Sequence, residues 1–187
     1  MVLLIVIVVL LVLIALYAMV TYNGLVSLRN RIENAWAQID VQLKRRYDLI
    51  PNLVETVKGY ASHERGTLDD VIKARNSAIT ASGPGQQAAA ENALSGALGK
   101  LFALAEAYPD LKANTNFQQL QTELSDIENK LSAARRFFNN AVSEYNASIQ
   151  AFPAALFSAN FGFQPREFFD VGEESRKQLD VAPQVKF

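Results

Sequence analysis

The run from Val2 to Val20, VLLIVIVVLLVLIALYAMV, holds nineteen apolar side chains without interruption, and the first charged side chain after it is Arg29. A helix of a water-soluble domain is seldom apolar on every face for such a length. At 1.5 Å rise per residue the run measures roughly 28 Å, close to the ~30 Å hydrocarbon layer of a bilayer. A helix satisfies its own backbone N–H and C=O groups, which is the condition for sitting in lipid. Tyr17 and Tyr22 flank its C-terminal end, where amphipathic rings favour the headgroup boundary. Residues 1–23 are therefore read as a single transmembrane anchor, bounded by Val2 and Val20, with the lipid bilayer as the first partner.

A cleavable secretory leader is the competing reading. It calls for a basic n-region, an apolar core of ~7–15 residues and a small-x-small cleavage site. Here Met1 alone precedes the run, and Ala15 and Ala18 sit among large residues. The chain has no cysteine, so anchoring through a lipidated cysteine is excluded. We expect the segment to be retained and to span. Arg29, Arg31, Lys44, Arg45 and Arg46 all follow it. Basic flanks favour the cytoplasmic side, which predicts the N-terminus outside and the remainder inside.

Residues 24–187 are enough for one core. Leu25, Leu28, Ile32, Trp36, Ile39, Leu43, Tyr47, Ile50, Val54 and Val57 recur at three- and four-residue steps, the helical period. Pro51 removes a donor and adds a ring clash, so a kink or a helix restart is expected at Ile50–Pro51. Thr67, with Asp70 three residues on, reads as the N-cap of the next helix. Ser82-Gly83-Pro84-Gly85 reads as a loop. An alanine-rich helix then begins at Gln86–Ala93 and runs to about Tyr108, where Pro109-Asp110 ends it. Its expected face is small: Ala90, Ala93, Leu94, Ala97, Leu101 and Leu104.

The last long helix is the most regular. Phe117, Leu120, Leu124, Ile127, Leu131, Ala134, Phe138, Ala141, Tyr145, Ser148 and Phe152 alternate steps of three and four, a coiled-coil-like seam. Phe, Ala, Tyr and Ser make a poor isolated zipper but suit a bundle whose facing helix supplies the complementary volume. The predicted fold is all-α: one transmembrane helix, then an up-and-down antiparallel bundle of about four helices over 24–152. The tail, 153–187, is predicted irregular and aromatic-rich. The stretch from Phe152 onward carries seven of the eleven phenylalanines, among prolines at 153, 165 and 183. So many rings must pack on their own bundle, on the membrane or on a neighbouring subunit.

The chemistry expected of this chain is sparse. Net charge is −1, and Lys44-Arg45-Arg46, its one basic cluster, is read as a solvated helix face, so no nucleic-acid partner is expected. His63 is the only histidine, with no second histidine at zinc spacing and no marked serine beside it. Gly83-Pro84-Gly85 lacks the lysine and the strand of a phosphate loop. Asp69/Asp70 reads as helix N-terminal charge and Glu173/Glu174 as solvation. Asn146-Ala147-Ser148 matches a glycosylation sequon inside a helix and is read as coincidence. No catalytic residue, cofactor or metal site is expected.

The block YNGLVSLRNRIENAWAQIDVQLKRRYDLIPNLVETVKGYASHE follows the membrane segment directly. Further on stand KARN at Lys73–Asn76, FNNAVSEYN at Phe138–Asn146, Phe152-Pro153, FGF at Phe161–Phe163 and the terminal VAPQVKF. In this order the blocks resemble the bacterial LemA family. The resemblance implies a membrane-anchored helical bundle of the bacterial inner membrane with no established enzymatic activity, and it brings no catalytic motif. It places Asn34, Trp36, Asp40, Arg45, Arg46, Tyr47, Asp48, Pro51 and Asn52 where a bundle meets solvent or a partner. The expected function is a non-enzymatic scaffold that self-associates as a homo-oligomer, recruits protein partners, or both. A signal transducer or sensor without its own catalytic domain is the alternative. The interaction residues expected are Trp36, Arg45, Arg46, Phe161, Phe163, Phe168 and Phe169.

Overall fold

The computed structural model describes residues 1–170; the Glu173/Glu174 pair and the terminal VAPQVKF lie outside the described residues. Within them the chain is all-helical: α1 (Val2–Tyr60), α2 (Arg65–Thr80), α3 (Pro84–Ala105), the single turn α4 (Pro109–Lys112) and α5 (Thr115–Gln150), then a 3₁₀ turn at Ala154–Leu156. The segment expected as an anchor and the first bundle helix are thus one 59-residue helix. Its large apolar side chains from Val2 to Val20 are all exposed, as a lipid-facing segment requires.

The restart expected at Pro51 does not occur; α1 continues through it. The reason lies on another helix. Proline has no N–H, so the Tyr47 carbonyl loses the donor four residues on. Arg75 of α2 supplies the replacement, its Nε donating to the Tyr47 carbonyl at 2.8 Å. A defect of sequence is repaired by a tertiary hydrogen bond.

Helix boundaries differ from expectation elsewhere too: α3 begins at Pro84, so Pro84 and Gly85 are its first residues rather than the end of a loop. α2 starts at Arg65 with Glu64 as N-cap and no side-chain cap bond, so Thr67 lies inside the helix. The Glu64 carbonyl accepts from the Leu68 N–H at 3.3 Å, while the Glu64 carboxylate accepts from the Tyr108 hydroxyl at 3.2 Å. Similarly, Pro109 opens α4 rather than ending α3, which stops at Ala105. A proline at the first helical position gives up only an N–H that has no partner there anyway. α5 has a side-chain cap: Asn114 Oδ1 accepts from the Phe117 N–H at 2.9 Å.

The chain divides into two compact units. One comprises Met1–Gln38 and Arg136–Glu167. In it Trp36 meets Phe138 edge-on at 5.3 Å between centroids, and Arg31 forms an ion pair with Glu144. Stepping back along α1 steps forward along α5, so the pair is antiparallel. Ile32, Ala35, Phe138, Ala141, Tyr145 and Ile149 are buried there, together with Ala154 and Phe163 from the tail. Asn146 holds the tail by its backbone: its Nδ2 donates to the Arg166 carbonyl at 2.9 Å, and its Oδ1 accepts from the Arg166 N–H at 2.8 Å.

The other unit comprises residues 39–135 and the segment that begins at Phe168. Its core is mainly aliphatic: Ile50, Leu53 and Val57 of α1, Val71 of α2, Leu94, Leu98 and Leu101 of α3, and Leu124 of α5 are buried, with Phe117 of α5 at one end. Each such side chain contributes about 1.5–3 kcal/mol on leaving water. Arg46–Glu128 and Tyr60–Asn114 pair α1 with α5, again antiparallel. The α5 seam is buried or half-buried from Phe117 to Ser148. The repeat ends there, because Phe152 lies past the last helical residue and is 82% exposed.

Candidate functional site

The buried face of α3 runs through Gln87, Glu91, Leu94, Leu98, Leu101 and Ala105, alternating steps of four and three. The apolar run therefore extends backwards into two polar residues. Arg46 does the same on α1, where Leu43, Arg46, Ile50, Leu53 and Val57 are all buried. These two core positions meet. Arg46 Nη1 lies 2.8 Å from Glu91 Oε2, with the Arg46 side chain 5% exposed and Glu91 fully buried. Arg46 Nη2 donates to Ser95 Oγ at 2.8 Å.

The second Glu91 oxygen accepts from the Tyr47 hydroxyl. Gln87 Nε2 in turn donates to Tyr47 Oη at 2.8 Å and to the Ala78 carbonyl at 3.1 Å, which brings α2 into the network. α5 adds one charge of each sign: Glu128 Oε2 stands 3.1 Å from Arg46 Nη1, and Arg135 Nη2 stands 3.9 Å from Glu91 Oε2. The Arg135 guanidinium lies over the Phe169 ring, 4.8 Å from its centroid, a contact that partly replaces lost hydration. Two arginines face two glutamates, so the cluster is neutral as a whole.

Electrostatics follow from this burial. The Tyr47 phenol is held well above its ordinary range, first by burial and then by its hydrogen bond to Glu91, so it remains a donor. Burial lowers the Arg135 pKa, while Glu128 and Glu91 oppose that shift. Asp40, which lines a cleft of about 390 Å³ with Lys44, Tyr47, Asp48 and Arg75, is raised by burial. Among the described residues no cluster of His, Cys, Asp or Glu could hold a metal ion. The arrangement ties α1, α3 and α5 together through charge and joins α2 to them by a neutral hydrogen bond.

The structure separates the residues singled out from sequence. Arg46 is a buried member of the cluster, which corrects the reading of Lys44-Arg45-Arg46 as one solvated face. Arg45 is exposed and lines a groove of about 330 Å³ with Asp48, Leu49, Glu123, Asp126, Ile127 and Lys130. Trp36 is half-buried against Phe138. Phe163 and Phe169 are buried within their own units, whereas Phe161 and Phe168 are exposed.

Glu91, Gln87, Arg135, Arg75 and Asn146 escaped the sequence reading. For Glu91 and Gln87 a signal existed, since the three- and four-residue spacing carried back from Leu94 lands on both. Asn146 looked like a chance sequon and is the clamp on the tail.

Comparison with known proteins identifies the family. Residues 35–187 match the profile of the LemA family. The chain is 27% identical to the protein LemA of Metamycoplasma hominis over 164 residues, covering 86% of this chain and 74% of that protein. It is 24% identical over 174 residues to the magnetosome protein MamQ of Magnetospirillum gryphiswaldense, covering 79% of this chain. A MamQ of Paramagnetospirillum magneticum matches at the same identity and extent. The chain spans 64% of the length of these MamQ proteins.

Proposed function

This chain belongs to the LemA family, and from that membership we propose that it is a membrane-anchored, non-catalytic scaffold of the bacterial inner membrane, which works by self-association and by recruiting other proteins to its cytoplasmic helical bundle. The observation that carries the reading is the closed charge cluster. Both oxygens of the fully buried Glu91 are taken up by Arg46, Tyr47 and Gln87. A general acid or base must reach its substrate within hydrogen-bond range, and here that capacity is spent on α1 and α3. Tyr47, held protonated, has no accessible phenolate to offer. The relatives bear the names LemA and magnetosome protein, not that of a reaction.

What the bundle offers to the outside is surface. Arg45, in a groove of mixed charge, and Phe168, 44% exposed, are the proposed contacts. The test is the mass of the full chain in nanodiscs, measured over a wide concentration range. A discrete assembly of more than one copy is expected, reduced by Arg45→Glu or Phe168→Ser without loss of helicity. One chain per particle at every concentration overturns self-association.

A further inference from the structure

We propose that the tail segment Phe152–Phe163 is a second membrane contact, seated in the headgroup boundary of the bilayer that the anchor spans, with Phe152, Leu156 and Phe161 turned into lipid. The three are 82%, 71% and 60% exposed, although nothing in the sequence requires large apolar groups to face water there. No charged side chain occurs between Glu144 and Arg166. An uncharged aromatic stretch of this kind suits the interface.

Its depth is fixed by contacts within one unit. Phe161 packs edge-on against Tyr22 at 5.5 Å, and Phe163 against the same ring at 5.4 Å. Tyr22 lies two residues beyond Val20, roughly 3 Å along the helix axis. Phe157 and Phe161 also share a groove of about 400 Å³ with Ala18, Met19 and Tyr22. Ala18 and Met19 belong to the apolar run itself. Lipid that surrounds them therefore reaches Phe157 and Phe161 as well, and a soluble partner could enter the groove only by displacing it. That continuity favours lipid as the occupant.

The segment is held at this level from behind. Ser158 Oγ donates to the Ile149 carbonyl at 3.2 Å, and the Asn146 clamp fixes the chain at Arg166. Between them Gly162 turns the chain at φ +77°, a conformation that other residues seldom adopt. Arg29 sits 5.6 Å from the Phe163 centroid and brings the first charge beyond the span to the buried side of the segment.

The absence of native cysteine allows a direct test in the full chain. Leu156→Cys and Phe152→Cys, each carrying an environment-sensitive fluorophore, are reconstituted in phosphatidylcholine–phosphatidylglycerol vesicles. The quenchers are a lipid with a nitroxide near the headgroup end of its acyl chain, for positions 152 and 156, a second lipid with the nitroxide near the bilayer centre, for position 10, and aqueous iodide. Ser125→Cys on the bundle serves as the water-exposed reference and Leu10→Cys as the lipid-exposed one. Strong lipid quenching at 156 and 152, with iodide quenching several-fold weaker than at 125, is the expected result. Iodide quenching equal to that at 125 overturns the proposal. Shielding from both quenchers overturns it too, and gives the segment to a protein neighbour. The inference rests on the anchor, whose own failure would appear separately as loss of lipid quenching at position 10.

Discussion

A buried ion pair is stabilising only relative to its own broken halves. Arg46 and Glu91 have left water almost completely, so removing either leaves a charge with neither hydration nor its closest counter-charge. Glu91→Leu and Arg46→Met are each expected to cost about 3–5 kcal/mol, whereas the double variant, with both charges gone, recovers most of the loss. Chemical unfolding of the four proteins in mild detergent measures this. Single losses below about 1 kcal/mol would mean that water reaches the pair. Tyr47 adds a pH dependence of definite sign. Its folded pKa is raised, so the stability tied to its neutral form is complete below the ordinary phenol value of about 10 and is lost as pH climbs through and beyond it. Tyr47→Phe should flatten that alkaline decline in unfolding midpoint, at the cost of the Glu91 and Gln87 hydrogen bonds at neutral pH.

At the level of elements, the long helices were the legible part. The seams of α1 and α5 follow from spacing alone, because burial on one face imposes the period whatever the partner. Ends and interruptions were less legible, since they are decided by groups distant in sequence. Pro51 is the clearest case: local chemistry predicts a break, and Arg75 removes the reason for it. If that account holds, the two residues are coupled. Arg75→Ala should cost about 1.5–3 kcal/mol in the native background, as for a hydrogen bond from a charged group. It should cost much less when Pro51→Ala gives the Tyr47 carbonyl its own helical donor. A double-mutant cycle on thermal or chemical unfolding reads the coupling, and additive costs would refute the repair. The charge cluster was hidden for a related reason. In QQAAAENALS, Glu91 looks like an acid on a helix surface, and only the arginine on α1, 45 residues earlier, makes its burial possible.

On the scale of the whole molecule, the proposed function needs a membrane anchor and a helical body on a definite side of the bilayer, and the proposed side is argued from charge. Arg29 and Arg31 are the first charges after the apolar run. Both are engaged without being neutralised by burial: Arg31 pairs with Glu144 with both side chains well exposed, and Arg29 meets the Phe163 ring. Acidic partners count little in orienting a span, so these pairings leave the basis for the proposed cytoplasmic side intact. A lipid-seated tail would work in the same direction by fixing those arginines at the surface, where each gains about 1 kcal/mol from anionic lipid. Ser62→Cys places one thiol in the exposed connection between α1 and α2, in a chain that otherwise has none. In intact cells with a permeabilised outer membrane, a membrane-impermeant maleimide should leave this thiol unmodified, and it should react once the inner membrane is opened. Modification before opening would put the bundle on the outer face, and its partners would then have to be sought there.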